Sequence, residues 1–333
     1  MGTEQRKKDH IDICLRKDVN FSSTAGFENY RLKHCALPEI DLEKIDLTSE
    51  FLGHKFSYPF YISPITGGTG LARKINRKLV VVAQNLNIPM CVGSQRAAIE
   101  DKALEETFSV REDAPDAVIY SNIGAVQLNY GYGTEQFQKA IDMIKADALV
   151  LHLNPLQEAI QPEGDTNFSD LIPKIKGLVK SLDVPVIVKE VGHGISGDIA
   201  GKLESAGVSA IDVAGAGGTS WAAVEGFRRK SSLGEIFRNW GIPTTECIVQ
   251  VKKSTKLPVI ASGGIRNGID IVKSLCLGAS LCGIASPLLK PSIESDNIEK
   301  YFKGLIHQIK IAMFCCGAKN IKELTENKII KIQ

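Results

Sequence analysis

Short apolar segments alternate with amphipathic segments along the chain from residue 58 onward. The apolar runs are nearly continuous and rich in Val and Ile, a pattern typical of strands that are buried on both faces of a parallel sheet. Eight such runs are present, at residues 58–63, 88–93, 117–122, 148–154, 184–190, 208–214, 257–263 and 280–285. They predict eight strands in one parallel sheet.

The segments between these runs have the spacing of helices. Leu71, Ile75, Leu79, Val82 and Leu86 recur at steps of three or four residues. Similar stripes pass through Phe137, Ile141 and Ile144, through Ile199 and Leu203 behind Ser196 as N-cap, through Ile269, Val272 and Leu275, and from Ile298 to Met313.

Eight strand–helix alternations predict a single α/β domain, a closed (β/α)8 barrel. An open doubly wound sheet is the alternative, but the first strand is not followed by the G-x-G-x-x-G turn expected for dinucleotide binding. We expect residues 1–57 to form a cap or lid, residues 58–318 the barrel, and residues 319–333 a Lys-rich tail that frays.

Composition excludes several classes of protein. Forty basic and 38 acidic residues leave a net charge of +2, which disfavours nucleic acid as a partner. The longest uncharged stretch is interrupted by Gly and Pro, and the charged N-terminus resembles no secretory signal. We therefore expect a cytoplasmic protein without membrane contact. Its eight cysteines form no CxxC pair, and we expect them to be reduced.

The residues that follow the predicted strands are glycines and hydrogen-bonding side chains, where barrel enzymes place their chemistry. Gly264, Ile265 and Arg266 follow the seventh strand, and Ala285 and Ser286 follow the eighth. Glycine-rich turns at helix N-termini bind phosphate through backbone N–H groups. We predict a phosphate cradle here, which suits FMN or a sugar phosphate equally well.

Three further features each allow two interpretations. Lys189 ends a strand and is either a solvated lysine or a cation facing an electron-rich ring such as flavin, with Thr66, Ser94 and Asn122 as hydrogen-bonding neighbours. Glu158 either favours a helix N-terminus or binds Mg²⁺. The basic patch Arg6-Lys7-Lys8 is either a solvated terminus or a clamp for a diphosphate.

Together these motifs resemble the type 2 isopentenyl-diphosphate isomerase family. The resemblance covers nearly the whole chain: RKKDHI, ITGG, GSQR, HLNPLQE, QPEGD, VIVKEVGHGIS, GAGGTSW and SGGIR. SGGIR is shared with many phosphate-binding barrels, whereas HLNPLQE followed by QPEGD is far more specific. The resemblance implies FMN, NADPH as its reductant, Mg²⁺, and interconversion of isopentenyl and dimethylallyl diphosphate in isoprenoid biosynthesis by 1,3-allylic proton transfer, with reduced flavin as the acid–base group.

The resemblance also implies roles for individual residues. FMN would be bound by Pro64, Ile65, Thr66, Ser94, Asn122, Lys189, Thr219, Gly264, Ile265, Arg266, Ala285 and Ser286. The diphosphate substrate would be bound by Arg6, Lys7, Ser94, Gln95, Arg96 and Gln157, with Glu158 on the metal and Gln157, His152 and Lys189 as catalytic residues. His10 and Asn154 would support the diphosphate. Ala214 stands where relatives often carry Ser beside the flavin phosphate. We also expect a homo-oligomer, a tetramer or an octamer.

Three other functions are disfavoured by the residues present. An FMN-dependent α-hydroxy acid oxidase needs a His base and an Arg after the sixth strand, where this chain has Gly215-Ala216-Gly217-Gly218-Thr219-Ser220-Trp221. An IMP-dehydrogenase-like enzyme needs a nucleophilic Cys in a mid-barrel loop. A non-enzymatic flavin-binding protein would need neither the Gln157–Glu158 pair nor the basic N-terminus.

Overall fold

Eight parallel strands close into a barrel in the computed structural model, which describes residues 3–294 and 298–332. In chain order, the strands are β1 (Tyr30–Leu32), β2 (Ser49–Phe51), β3 (His54–Phe56), β4 (Phe60–Ile62), β5 (Met90–Cys91), β6 (Ile119–Gly124), β7 (Ala148–Leu153), β8 (Val186–Glu190), β9 (Ala210–Asp212), β10 (Val259–Ser262), β11 (Leu281–Ile284) and β12 (Ile329–Lys331). The barrel runs from β4 to β11 and closes by pairing β11 with β4. All eight predicted strands are confirmed; seven are shorter than their apolar runs, and β6 is as long as its run but lies two residues further along the chain.

Helices surround the barrel. They are α1 (Thr3–Arg16), α2 (Gly70–Leu86), α3 (Arg96–Glu100), α4 (Thr134–Ile144), α5 (Pro155–Ile160), α6 (Leu171–Ser181), α7 (Gly197–Ser205), α8 (Trp221–Arg229), α9 (Leu233–Ile236), α10 (Thr244–Ser254), α11 (Gly268–Cys276), α12 (Ser286–Glu294) and α13 (Ile298–Cys315). Ser196 caps α7 as predicted, because its hydroxyl accepts a hydrogen bond from Ile199 N–H.

Three residues of the predicted apolar stripes are partly exposed. Leu71, Ile199 and Ile269 each lie in the first turn of their helix, ahead of the residues that pack on the strands. In α7 the buried positions are Ala200 and Leu203. In these three helices the spacing of the apolar residues was predicted correctly, but the first residue of each stripe is not buried.

Residues 1–57 contribute to both ends of the barrel. The hairpin β2–β3 places Phe51 and Phe56 in one apolar cluster with Ala148, Ala210 and Leu281, which lie at the starts of their strands. The hairpin therefore closes the N-terminal end of the barrel. At the opposite end, α1 packs against α8.

The expectation that the tail after residue 319 frays is wrong. Strand β12 pairs antiparallel with β1, with Leu32 opposite Ile329. Ile329 is buried while the next residue, Ile330, is exposed. The high lysine content was misleading, since one apolar residue in two is enough for a strand with one buried face.

All eight cysteines are free thiols, as expected for reduced cysteines. Among the described residues, no helix combines the length and apolar character needed to cross a membrane.

Candidate active site

A cavity of about 240 Å³ opens at the C-terminal end of the barrel. Each of the eight barrel strands contributes a residue within two positions of its C-terminal end: Ser63, Gly93, Asn122, His152, Lys189, Ala214, Ser262 and Ile284. Parallel strands in a closed barrel present their carboxyl ends on one side, so residues far apart in the sequence meet there.

Nearly all predicted site residues line this cavity, and Gln95 is the exception. The Gln95 side chain is fully buried, with Nε2 donating to Ala140 O at 2.8 Å and Oε1 accepting from Asn122 N–H at 3.0 Å. These bonds point the amide towards α4 and away from the cavity. The Gln95 side chain therefore makes structural hydrogen bonds and does not face the cavity, unlike the substrate contact that the resemblance implies.

The loop after β10 has the features of a phosphate cradle. Gly263 and Gly264 adopt positive φ angles of +97° and +72°. A methyl group at Gly218 would lie 2.6 Å from Gly264 N, so the loops after β9 and β10 approach too closely for side chains. Neither Gly264 N–H nor Ile265 N–H finds an acceptor within the described part of the chain, and α11 follows. These donors fit the phosphate of FMN.

Two groups on β6 and β7 flank the centre of the cavity. Asn122 Oδ1 lies 2.7 Å from His152 Nδ1, and this amide orientation places the imidazole proton on Nδ1. Burial, assisted by the charges of Lys7, Lys189 and Arg96, lowers the pKa of His152 to about 3. His152 is thus neutral in this cavity at physiological pH, with Nε2 as an acceptor.

Glu158 is at the centre of a hydrogen-bonded cluster on α5. Its Oε1 accepts from Asn154 Nδ2 at 2.8 Å, and Oε2 accepts from Gln161 Nε2 at 2.6 Å and Asp165 N–H at 2.8 Å. Burial raises the pKa of this carboxyl. Oε1 keeps one lone pair for a further ligand, which fits Mg²⁺ shared with phosphate oxygens. The described residues contain no group of three or more His, Cys, Asp or Glu that could hold a metal alone.

The N-terminal helix α1 brings three predicted residues, Arg6, Lys7 and His10, to the cavity. Burial and the neighbouring charges of Arg6 and Arg96 lower the pKa of Lys7 to about 8. Such crowding of cations is unfavourable unless an anion binds between them. Arg96 itself is already paired with Glu100, at 2.7 Å, and with Asp165.

Sequence reasoning missed Glu225, a fully buried acid on α8. Its Oε1 lies 2.8 Å from His10 Nε2 and accepts from Gln157 Nε2 at 3.3 Å, while Oε2 accepts from Arg228 Nε at 2.7 Å. Burial opposes ionisation, but the bonds from His10 and Arg228 prevail and lower the pKa of Glu225. The signal in the sequence was one acid within the apolar stretch Trp221–Gly226.

Comparison with known proteins agrees with this geometry. The family described as FMN-dependent dehydrogenase matches residues 9–122 and 131–331. Proteins named isopentenyl-diphosphate delta-isomerase are 50% identical in Nostoc sp., covering 97% of this chain and 94% of the relative, and 48% identical in Pyrococcus furiosus, covering 98% and 86%. The chain belongs to the isopentenyl-diphosphate delta-isomerases of the FMN-dependent dehydrogenase family. The resemblance stated from the sequence is confirmed.

Solved structures of other flavoenzymes share the fold of this isomerase family member. The flavin-binding domain of baker's yeast flavocytochrome b2 superposes with a TM-score of 0.68 at 18% identity, covering 100% of this chain and 81% of that one. A soluble mutant of (S)-mandelate dehydrogenase from Pseudomonas putida gives 0.65 at 17% identity, covering 99% and 92%. At such identities the likeness concerns the fold alone.

Proposed function

We propose that this protein interconverts isopentenyl diphosphate and dimethylallyl diphosphate by 1,3-allylic proton transfer, using reduced FMN and Mg²⁺. The observation that carries the proposal is one cavity with a phosphate cradle after β10 and an independent cationic cluster, Arg6 and Lys7, on α1. A flavin phosphate and a substrate diphosphate each have a site of their own.

Different residues of the cavity are proposed to bind the diphosphate, the metal and the flavin. Arg6 and Lys7 bind the diphosphate, and Glu158 would hold a Mg²⁺ ion that offsets the charge of this group. Lys189 places a cation beside the electron-rich side of the flavin ring. When bound, reduced FMN supplies a proton at N5 and can act as acid and base without net redox change.

His152 and Gln157 complete the substrate end of the cavity. Since His152 is neutral, its Nε2 acts as a hydrogen-bond acceptor and orients the reacting groups. Gln157 lines the cavity and donates one amide hydrogen bond to Glu225, and this contact restrains the carboxamide. Hydrogen bonds between Gln157 and the substrate support the placement of the allylic carbons.

The test begins with purified protein reconstituted with FMN and Mg²⁺ under anaerobic conditions. We expect a yellow protein that NADPH bleaches and that then converts isopentenyl diphosphate to dimethylallyl diphosphate. A flavoprotein that forms no product under these conditions, or that instead oxidises α-hydroxy acids, would overturn the proposal.

We further propose that the enzyme works in the cytoplasm as a homo-oligomer, a tetramer or an octamer. Ile236 on α9 and the nearby Trp240 are 70% and 64% exposed, which supports contact with a second copy. Light scattering tests the oligomeric state. We expect an oligomer for the wild type and a smaller species for a Trp240→Glu variant, and a monomeric wild type would contradict the proposal.

A further inference from the structure

A cluster of four polar side chains lies within the barrel at the base of the cavity. Tyr61, Lys189, Asp212 and Ser262 come from β4, β8, β9 and β10. Asp212 is fully buried, and none of the others is more than 7% exposed. Just below them the barrel interior is apolar, with Val150, Ile187 and Ile260 in one cluster.

Pairing of the strands sets this arrangement. Lys189 and Asp212 are direct partners in the β8–β9 ladder, so their side chains project to the same side. Tyr61 is opposite Gly283 in the β4–β11 ladder, where a methyl group would lie 2.7 Å from the Tyr61 ring. Gly283 therefore gives the ring the space to reach across the barrel.

Asp212 contacts every other member of the cluster. Its Oδ2 accepts from the Tyr61 hydroxyl and lies 3.3 Å from Lys189 Nζ, and its Oδ1 accepts from the Ser262 hydroxyl at 2.5 Å. Lys189 Nζ also donates to Ser262 Oγ at 3.2 Å. The ammonium is thus hydrogen-bonded to Ser262 and ion-paired with Asp212 below the cavity, which leaves N–H donors for a ligand above.

The cluster is neutral as a whole. Lys189 contributes one positive charge and Asp212 one negative charge, while burial and the neighbouring Asp212 raise the pKa of Tyr61 and keep its hydroxyl protonated. A buried ion pair of this kind is costly to desolvate and contributes little net stability compared with apolar residues. Its value lies instead in fixing where a charge stands and how much of that charge a ligand experiences.

We propose that Asp212 is a positioning residue that fixes the Lys189 ammonium and offsets its charge beneath the flavin ring, so that the site does not over-stabilise anionic reduced FMN. The inference rests on the FMN site proposed above. Asp212 does not line the cavity, whereas Lys189 does, so Asp212 acts through Lys189.

The experiment measures the dissociation constants of oxidised and of reduced FMN for the full-length protein at alkaline pH, where reduced flavin is anionic. Asp212→Asn leaves the Lys189 charge uncompensated. We expect the ratio of the two constants to shift by about tenfold or more in favour of reduced FMN. This corresponds to a flavin midpoint potential raised by about 30 mV for each tenfold change of a two-electron couple. Tyr61→Phe is the control, because it removes a hydrogen bond and leaves both charges in place.

Two outcomes would overturn the inference. One is an Asp212→Asn ratio equal to that of Tyr61→Phe. If Asp212→Asn does not fold, Lys189→Met is compared with Lys189→Met/Asp212→Asn. Because Asp212 acts through Lys189, the two ratios should be equal in this pair, and the second outcome is a difference of about tenfold or more between them. A wild-type protein that takes up no FMN would overturn the proposed function as well, whereas FMN binding with unchanged ratios would contradict the role of Asp212 alone.

Discussion

Lys7 and His152 differ in chemistry, yet the pKa of each is lowered because both lose hydration within the same cavity. The pKa of Lys7 falls to about 8 and that of His152 to about 3. Lys7 therefore titrates close to physiological pH, whereas His152 stays neutral. On this basis Lys7 is assigned to bind the diphosphate and His152 to accept a hydrogen bond. The residue types alone did not decide between these roles.

The first prediction is a pH dependence of substrate binding. As pH rises through about 8, Lys7 loses its proton and its attraction for the diphosphate, so the KM of the wild type should rise, by up to about tenfold per pH unit. Lys7→Arg keeps its charge throughout this range. The ratio of wild-type to Lys7→Arg KM, measured across alkaline pH, should therefore increase, and this ratio cancels ionisation of the substrate itself. Parallel KM profiles would contradict the assignment.

Glu158 gives the second prediction at this scale. Glu158→Gln removes the charge on the only carboxylate expected to bind Mg²⁺, so the half-saturating Mg²⁺ concentration should rise by about tenfold or more. The FMN content should not change, because Glu158 is on α5 and the cradle is after β10. Glu163→Gln is the matched control, since Glu163 pairs with Arg228 and does not line the cavity. A Mg²⁺ titration that is identical for both variants would place the metal elsewhere.

Helix α1 carries residues of the candidate site, and its contacts with α8 hold these residues in place. The pair His10–Glu225 and the edge-on contact between His10 and Trp221, with ring centroids 5.1 Å apart, hold α1 against α8. Arg6 and Lys7 lie one turn from this anchor, so they are held at the mouth of the cavity. We expect α1 to act on substrate and not on cofactor.

Deleting residues 1–9 tests this role. A charge-assisted contact with phosphate contributes about 1.5–3 kcal/mol, so KM for isopentenyl diphosphate should rise by about ten- to a hundredfold. The flavin absorbance should be unchanged. If α1 also excludes water from the reacting groups, kcat falls too. Lys8→Ala serves as the control on the same helix because Lys8 is exposed. An unchanged KM in the deletion variant would mean that Arg6 and Lys7 do not contact the diphosphate.

The elements also show what sequence patterns can and cannot predict. Continuous apolar runs gave all eight barrel strands because both faces of the sheet are covered. The loops after β10 and β11 were predicted as a phosphate cradle from their glycines and from their place in the barrel. The side chain of Gln95 was predicted to face the substrate, and Glu225 and Asp212 were not predicted to be site residues. All three cases have one reason: the direction in which a polar side chain is buried depends on partners that are distant in the sequence. Asp212 is followed closely by glycines, and nothing local distinguishes it from a turn residue.

Over the whole molecule, the first and last segments of the chain are joined outside the barrel. Strand β1 pairs with β12, Lys33 N–H donates to Lys328 O at 2.8 Å, and Ile332 N–H donates to Asn29 O at 2.9 Å. Residues 30–33 are thereby hydrogen-bonded to the last residues of the chain. The stability of the N-terminal segment therefore depends on residues that were predicted from composition to fray.

The last prediction measures this coupling with two adjacent isoleucines. Ile329 is 9% exposed and Ile330 is 45% exposed, so they face opposite sides of β12. Ile329→Ala removes buried methylene and methyl groups and should cost about 2–4 kcal/mol, whereas Ile330→Ala should change the free energy of unfolding by less than about 1 kcal/mol. For a chain of this size unfolding is followed through Tm, together with hydrogen exchange of residues 30–33. Because β12 is remote from the cavity, FMN binding should be equal in both variants. Equal Tm values would mean that β12 adds nothing to the stability of the fold.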